Sequence, residues 1–335
     1  MDRRLQKLQS WVAAALSHDG ATLSDIQASW CAVGGDASFR RYFRLRLSGR
    51  CFVVMDAPPP DEDVTPFIEI AERLRRADLR SPRIYAAQRQ AGFLLLEDFS
   101  DEMLQRELDP AAGQALFDDI LPLLSAMVTR VDSHGLPPYD ASRLTAELAL
   151  FGEWYLPYQR GLKPTVEQQQ QWRELSQLLV GSALAQPQGF VHRDFHSCNL
   201  HRLDGGEIGI IDFQDALCGP VSYDLASWLW DRYISWPRAA LEQWMCQSRP
   251  QLAPAMAEGD WIRCCDFMGL QRNLKIIGIF SRLHHRDNKS TYLELIPRFS
   301  AYVLDVLPRH VELTPYRPLL QQWLEAEASS QASPQ

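Results

Sequence analysis

Two stretches of the chain, residues 189–200 and residues 208–215, decide the fold. They read Gly-Phe-Val-His-Arg-Asp-Phe-His-Ser-Cys-Asn-Leu and Ile-Gly-Ile-Ile-Asp-Phe-Gln-Asp. In each stretch, polar residues directly follow a short apolar run, which is typical of a buried strand that ends at the rim of a hydrophobic core. We therefore expect these polar residues to lie on turns at the edge of the core.

The spacing of the polar residues matches a catalytic loop. Residues 192–199 fit the protein-kinase pattern His-Arg-Asp-x-x-x-x-Asn at every fixed position. Phosphoryl transfer needs a carboxylate that orients an attacking hydroxyl and accepts its proton, and oxygen ligands that hold Mg²⁺ on ATP. We predict that Asp194 is the catalytic base and that His192 supports its loop by hydrogen bonds. Asn199 and Asp212 are the predicted metal ligands.

The composition limits the classes of function. The chain has 335 residues, of which 46% are hydrophobic and 23% charged, as in a soluble protein of one large or two moderate domains. A net charge of −8 disfavours nucleic acid or an anionic membrane as a partner, because both need a basic surface. The seven cysteines contain no Cys-x-x-Cys pair and suit a reducing compartment. We predict a cytoplasmic protein that binds neither nucleic acid nor membrane.

The pattern of apolar residues changes along the chain. A helical pattern over residues 5–16 precedes a region of strand-like alternation. The first three antiparallel strands are expected at residues 26–33, 39–47 and 51–55. The predicted later helices cover residues 111–133, 141–155, 166–184, 223–234, 238–248, 258–283 and 291–307. We therefore predict an α+β fold, with a sheet-containing N-terminal lobe over residues 1–98, a helical lobe over residues 99–325, and a disordered tail at residues 326–335.

Three strings carry a family resemblance. They are residues 192–199, Ile-Asp-Phe-Gln-Asp at residues 211–215, and Gly-Pro-Val-Ser-Tyr-Asp-Leu-Ala at residues 219–226. With them the chain resembles the aminoglycoside phosphotransferase and choline kinase family. The resemblance implies a two-lobed protein-kinase-like fold, with a small antiparallel sheet in the N-terminal lobe and a mostly helical C-terminal lobe, and ATP and Mg²⁺ as cofactors.

Further strings narrow the resemblance. They include Gly-Gly-Asp-Ala-Ser-Phe-Arg-Arg-Tyr-Phe at residues 34–43, Val-Met-Asp-Ala-Pro-Pro at residues 54–59, and Gly-Leu-Gln-Arg-Asn-Leu-Lys-Ile-Ile-Gly-Ile-Phe at residues 269–280. They are similar to strings in the bacterial cell-wall recycling kinases that phosphorylate the anomeric hydroxyl of N-acetylmuramate and N-acetylglucosamine. This likeness implies a sugar 1-kinase of peptidoglycan recycling, whose product would pass to a nucleotidyltransferase.

The resemblance also implies where ATP binds. The expected contacts are Gly34, Gly35, Ser38, Arg40, Arg41, Glu97 and Phe99. One departure from the family pattern matters: Met55 stands where the third strand normally carries a lysine for the phosphates, and methionine cannot donate to phosphate. Either the kinase is inactive or another residue supplies the cation. Because Asp194, Asn199 and Asp212 form a complete set, we hypothesise that Arg40 or Arg41 replaces the lysine.

The substrate has to be inferred from other residues. Gln271, Arg272 and Lys275 share one broad face of a predicted helix. This cationic face suits the lactyl carboxylate of N-acetylmuramate, and it equally suits an acidic neighbour inside the protein. Asp215 is a further candidate for contact with substrate or metal. Two alternatives stay open: a kinase for another small alcohol, such as an aminoglycoside, choline or homoserine, and an ATP-binding pseudokinase.

Overall fold

The computed structural model describes residues 2–33 and 39–325. The predicted ATP contacts Gly34, Gly35 and Ser38 and the predicted tail at residues 326–335 lie outside the described residues. The helices are α1 (Arg3–Ala15), α2 (Leu23–Ala28), α3 (Thr65–Arg76), α4 (Gly113–Thr129), α5 (Ala141–Leu150), α6 (Val166–Ala185), α7 (Tyr223–Leu229), α8 (Arg238–Leu252), α9 (Glu258–Asp287), α10 (Ile296–Val306) and α11 (Arg317–Leu324). A π-helix, Phe151–Gln159, continues directly from α5.

The strands are short and belong to separate sheets. They are β1 (Trp30–Val33), β2 (Arg41–Leu47), β3 (Arg50–Asp56), β4 (Ile84–Gln88), β5 (Phe93–Glu97), β6 (Gln188–Val191), β7 (Leu200–Arg202), β8 (Ile208–Ile210) and β9 (Leu217–Pro220). The first five form one antiparallel sheet in the order β1-β2-β3-β5-β4, while β6 pairs with β9 and β7 with β8. A five-stranded antiparallel sheet followed by a mostly helical remainder confirms the predicted α+β class.

The described chain divides into two compact units. Unit 1 runs as far as Arg106 and adds Cys198–Asp215, whereas unit 2 comprises Glu107–Ser197 and the residues from Ala216 onward. The sequence pattern predicts a single boundary after residue 98. The difference arises because the β7–β8 hairpin pairs with the strand region of unit 1: Ile210 donates its backbone N–H to the Arg80 carbonyl, 2.7 Å away.

The large sheet of unit 1 has two different faces. One face packs against α1 and α2 in a core that contains Leu8, Val12, Ile26, Phe43, Leu45, Phe52, Val54 and Leu95. Strand alternation sends the neighbouring side chains, among them Tyr42, Val53 and Leu96, to the opposite face. That second face lines a cavity.

The start of the sheet differs from the prediction. Residues 26–28 were expected to begin the first strand, but they end α2. Thr22 and Asp25 form a reciprocal capping box that starts this short helix, and a capping box of this kind is a sequence signature of a helix N-terminus. The apolar run around Ile26 alone did not distinguish a short helix from a strand.

The long helix α9 is the centre of unit 2. It contacts α5, α6, α7, α8, α10 and the π-helix, and buried residues occur along most of its length. Glu258 and Asp260 lie in its first turn, where acidic groups favour the helix dipole, and Asn288 caps its end in a left-handed conformation. In the described part of the chain, no helix combines the length and apolar character needed to cross a bilayer.

Candidate active site

The predicted catalytic loop leaves the end of β6 in unit 2. Strand β6 ends at Val191, directly before His192. The buried Asp224, near the start of α7, accepts the backbone N–H of His192 at 2.6 Å and that of Arg193 at 3.0 Å. Burial raises the pKa of Asp224 to about 6, against the opposing effects of His192 and these two N–H donors. One carboxylate therefore fixes the first two residues of the loop.

The proposed base is accessible and its loop is held from several sides. Asp194 is exposed, whereas His192 is fully buried. His192 Nδ1 accepts the backbone N–H of Asp194 at 3.2 Å, which agrees with the supporting role expected for this histidine. Further along, the buried Asp231 accepts the backbone N–H of Ser197 at 2.9 Å. The loop thus presents a carboxylate to solvent on a backbone that buried side chains hold.

The predicted substrate residues of α9 differ in their surroundings. Gln271 and Lys275 both contact Glu147 of α5, at 3.2 Å and 2.9 Å. Lys275 Nζ also donates to the Tyr223 hydroxyl at 3.0 Å. These two side chains therefore have the acidic partner inside the protein that the sequence analysis left open.

Arg272 has a different environment from its neighbours. It is only 5% exposed, and within the described residues its one hydrogen bond is to the Trp230 carbonyl, at 3.4 Å. Burial lowers the pKa of its guanidinium, and the nearby charges of Asp194 and Asp231 act in the opposite direction. The part of the chain that the structure describes offers Arg272 no carboxylate in a salt bridge. Arg272 is therefore a buried cation close to Asp194, and its guanidinium could still bind an anionic group.

Unit 1 contains a cavity of about 340 Å³ on the open face of its sheet. Apolar side chains form much of its wall, including Val33, Val53, Leu96, Phe99, Met103 and Ile211. Polar groups also line it, among them Asn199, Asp212 and Gln214. An apolar pocket with a few convergent polar groups is the usual form of a small-molecule site.

The two predicted metal ligands lie side by side in unit 1. Asn199 Nδ2 is 3.4 Å from Asp212 Oδ2, and both residues line the cavity. Gln214, for which the sequence predicted no role, donates to Asp212 Oδ1 at 2.8 Å, and its own buried Oε1 has no hydrogen-bond partner among the residues that the structure describes. An amide and a carboxylate offer the oxygen ligands that Mg²⁺ takes.

Arg40, just before β2, and Arg41, its first residue, point to opposite faces of the sheet, as strand alternation predicts. Arg41 bonds to Asp56 at 3.0 Å and also pairs with Asp2, on the side of the sheet that carries α1. Arg40 pairs with Glu62 at 2.8 Å, with both side chains mostly buried. Burial lowers the pKa of Arg40, but Glu62 and Asp215 together with Tyr42 raise it above its usual value.

The cavity face of the sheet also holds Arg44 and Met55. Arg44 pairs with Asp98 and Asp101 at 2.7 Å and 2.8 Å, and all three line the cavity. Met55 is buried opposite Tyr42 and shares its face of β3 with Val53. The described part of β3 therefore brings a methionine, and no cation, to the position expected for the lysine.

Glu97 and Phe99 lie at the end of β5, on the wall of the cavity. The Glu97 carboxylate is already engaged by Arg80 at 2.7 Å and by the backbone N–H of Arg83 at 3.0 Å. The Phe99 ring packs against Gly209 of β8. Their side chains hold this segment in place, and the Glu97 backbone N–H donates to the Arg83 carbonyl at 2.8 Å.

Several residues of the site were not found from the sequence. Glu62, Glu147 and Gln214 had no predicted role. Arg193 and Glu147 are separated by 46 positions, so no short motif could reveal the contact. Gln214 stands inside the string Ile-Asp-Phe-Gln-Asp, and its place between two aspartates was the one available signal.

Comparison with known proteins identifies the family. A model described as the phosphotransferase enzyme family matches residues 29–257. The chain belongs to the phosphotransferase enzyme family. This confirms the family membership predicted from the three strings, and a solved structure agrees with the fold: choline kinase LicA from Streptococcus pneumoniae superposes with a TM-score of 0.60 at 13% identity, covering 86% of this chain and 99% of that one.

Two curated relatives are more similar in sequence. One from Pseudomonas putida is 41% identical over 93% of this chain and 94% of its own length. One from Pseudomonas aeruginosa is 40% identical over 95% of this chain and 96% of its own length. Both are named N-acetylmuramate/N-acetylglucosamine kinase.

Proposed function

We propose that this protein transfers the γ-phosphate of ATP to the anomeric hydroxyl of N-acetylmuramate and N-acetylglucosamine in peptidoglycan recycling. The observation that carries the proposal is the identity of 40% or more with two kinases of that name, across more than nine tenths of each chain. The exposed Asp194 supports it, because an anomeric hydroxyl is more acidic than an ordinary alcohol and a carboxylate is an adequate base for it.

Product analysis tests this proposal. The protein is incubated with Mg-ATP and a panel of N-acetylated amino sugars, aminoglycosides, choline and homoserine, and phosphorus NMR identifies the product. We expect a sugar 1-phosphate with the two amino sugars. Asp194→Asn should lower kcat by roughly 10²–10⁴-fold, the usual contribution of a general base. Transfer only to a cationic alcohol, or ATP binding without any turnover, would contradict the proposal.

ATP is proposed to bind in the cavity of unit 1, with Asn199 and Asp212 holding Mg²⁺. The apolar wall suits the flat face of adenine, and the adjacent amide and carboxylate fit a cation that prefers oxygen ligands. When bound, Mg²⁺ would offset the negative charge on the phosphates. Gln214 supports the site by holding one oxygen of Asp212.

Arg40 is proposed to supply the cation that Met55 cannot. It lies on the same sheet face as Tyr42, which lines the cavity, and close enough to Asp215 for that charge to raise its pKa. Arg41, the other candidate, pairs with Asp56 and Asp2 on the opposite face. The two neighbours therefore provide a matched comparison.

ATP affinity measured by calorimetry distinguishes the two arginines. Arg40→Ala should weaken ATP binding by about tenfold or more, the value of a charged hydrogen bond of roughly 1.5–3 kcal/mol. Arg41→Ala should leave it within about twofold, because loss of its ion pairs acts on stability. Met55→Lys added to Arg40→Ala should restore part of the affinity. Equal losses in both single variants would contradict the role of Arg40.

Arg272 is proposed to recognise the lactyl carboxylate of N-acetylmuramate. Arginine suits carboxylates because its planar fork can make two parallel hydrogen bonds. Arg272→Gln should therefore lower kcat/KM for N-acetylmuramate about tenfold more than for N-acetylglucosamine, which lacks the carboxylate. Equal losses for the two sugars would show that Arg272 has only a structural role.

The proposed chemistry also indicates where the reaction takes place and which class of enzyme uses its product. ATP as phosphate donor and seven cysteines that form no disulfide in the described chain are consistent with a location in the cytoplasm. A sugar 1-phosphate is the substrate class of nucleotidyltransferases, so we propose that such an enzyme consumes the product.

A further inference from the structure

Glu147 is a buried carboxylate at which several parts of unit 2 meet. Its side chain is 12% exposed, and Oε1 accepts from Arg193 Nη2 and from Lys275 Nζ, each at 2.9 Å. Oε2 accepts from Gln271 Nε2 at 3.2 Å and from the Tyr139 hydroxyl. One carboxylate thus joins the catalytic loop, helix α9 and the segment before α5.

The negative charge of Glu147 compensates two neighbouring cations. A buried cation is costly unless a carboxylate and hydrogen bonds compensate it, and Glu147 faces two mostly buried cations. Burial raises the pKa of Glu147, but Lys275, the Tyr139 hydroxyl and Arg193 outweigh it and lower the pKa below its usual value. The carboxylate is therefore ionised at neutral pH.

Arg193 has a backbone that needs such support. Its φ is +78°, in the left-handed region of backbone conformation that residues other than glycine rarely adopt. Such a conformation persists where surrounding contacts determine it. Here those contacts are Asp224, which holds the backbone N–H, and Glu147, which holds the guanidinium. The residue that follows is Asp194.

We propose that Glu147 is a positioning residue: it holds Arg193, and through Arg193 it fixes the backbone that presents Asp194. The inference rests on the role proposed for Asp194 above. In protein kinases, a negative charge added by phosphorylation can order a segment through an arginine. In this protein a carboxylate of the fold supplies the charge, so the loop is ordered without modification.

Four variants test the proposal: Glu147→Gln, Arg193→Gln, the double variant, and Glu153→Gln as an exposed control on the neighbouring π-helix. We expect each single variant to lower kcat by about tenfold or more, from the loss of a charged hydrogen bond, and the double variant to lose no more than either single variant. KM for ATP should stay within about twofold, because unit 1 lines the ATP cavity. Hydrogen exchange in the peptide covering residues 191–197 should rise, and the control should match the parent.

The outcomes separate this inference from the proposed function. A kcat within about twofold of the parent in Glu147→Gln, unchanged exchange, or additive losses in the double variant would overturn it, because coupled residues are non-additive. If Glu147→Gln is too unstable, Lys275→Met in the same chain removes one uncompensated cation. It should restore the melting temperature but not kcat, and a restored kcat would also overturn the inference. If the parent phosphorylates no amino sugar, the proposed function fails, and the exchange measurement still decides the role of Glu147.

Discussion

Asp224 shows how one side chain can hold the predicted catalytic loop in place. It is almost completely buried and accepts the backbone N–H groups of His192 and Arg193 with its two oxygens. A proton on this carboxylate would replace one acceptor by a donor facing an N–H group. The geometry of the loop therefore depends on the ionisation of Asp224.

We predict that kcat falls as the pH drops below about 6, the raised pKa of Asp224. The effect of this group on stability has the opposite sign. Between pH 3.8 and about 6 the folded protein retains a proton that the unfolded chain has released, so Asp224 favours folding more at the acidic end and less as the pH rises. The measurement is kcat against pH, with melting temperatures recorded in parallel. Asp224→Asn should have a lower kcat at neutral pH and a flatter acid limb; an unchanged acid limb would contradict the assignment.

Gly209 of β8 gives a second prediction at the scale of one residue. A Cβ at this position would lie 2.4 Å and 2.6 Å from two carbons of the Phe99 ring. Gly209→Ala should therefore displace Phe99 from the cavity wall, raise KM for ATP severalfold, and cost about 1–3 kcal/mol of stability from overpacking. Steady-state kinetics and urea unfolding measure both effects. Gly181→Ala on α6, where a Cβ meets no atom within 4 Å, is the control: it should leave KM unchanged and stabilise the protein by up to about 1 kcal/mol through helix propensity.

The proposed site residues could be inferred from the sequence where a local motif carries them. His192, Asp194, Asn199 and Asp212 occur in short strings, and β6 and β8 end just before the turns that hold them. Their partners were not predictable, because contacts such as Glu147 with Arg193 join positions that are distant in sequence. The sequence also could not show whether Arg40 or Arg41 lies on the cavity face of the sheet, because alternation gives the two residues opposite faces without saying which face lines the cavity.

At the scale of elements, α9 depends on close approach to its neighbours. A Cβ at Gly278 would lie 2.4 Å from the carbonyl carbon of Leu150 and 2.5 Å from the amide nitrogen of Phe151, where α5 becomes the π-helix. These are backbone atoms, which cannot move aside as a flexible side chain can. The absence of a side chain at Gly278 therefore sets the distance between the two helices.

We predict that Gly278→Ala destabilises the protein by about 3 kcal/mol, at the upper end of the usual overpacking cost. Gly259→Ala is a matched control in the same helix, because a Cβ there meets no atom within 4 Å. It should be neutral or stabilising by up to about 1 kcal/mol, the difference in helix propensity. Urea unfolding followed by circular dichroism compares the two. Equal stability of the two variants would show that α9 can shift away from Leu150.

Long periodic elements were predicted better than short or irregular ones. The apolar pattern located α9 and α6 to within a few residues. It also continued through residues 151–155, which form the start of a π-helix, because a side-chain pattern does not report which carbonyl each N–H group reaches. Helix α7 ends at Leu229, before the predicted residue 234, and Asp231 just beyond it accepts the backbone N–H groups of Ser197 and Tyr233.

At the scale of the whole molecule, unit 1 is made of two separate parts of the chain. The second part brings Phe213 to within 4.8 Å of Phe67, measured between ring centroids, and Gly209 against Phe99. A fragment of residues 1–106 should therefore expose apolar surface that the full-length protein covers. We predict that this fragment binds a hydrophobic dye strongly and aggregates, whereas the full-length protein does not. A soluble, monomeric fragment with a cooperative melting transition would contradict this.

The same discontinuity sets an order of events on the ribosome. The N-terminal sheet emerges first, but the β7–β8 hairpin that completes unit 1 is made only after Glu107–Ser197 have been translated. At roughly 5–20 residues per second, the incomplete unit 1 waits on the order of ten seconds for this second segment. During that time Phe67 and Phe99 lack the residues that later pack against them, so we expect the yield in a cell to depend on chaperones that bind the nascent chain before translation is complete.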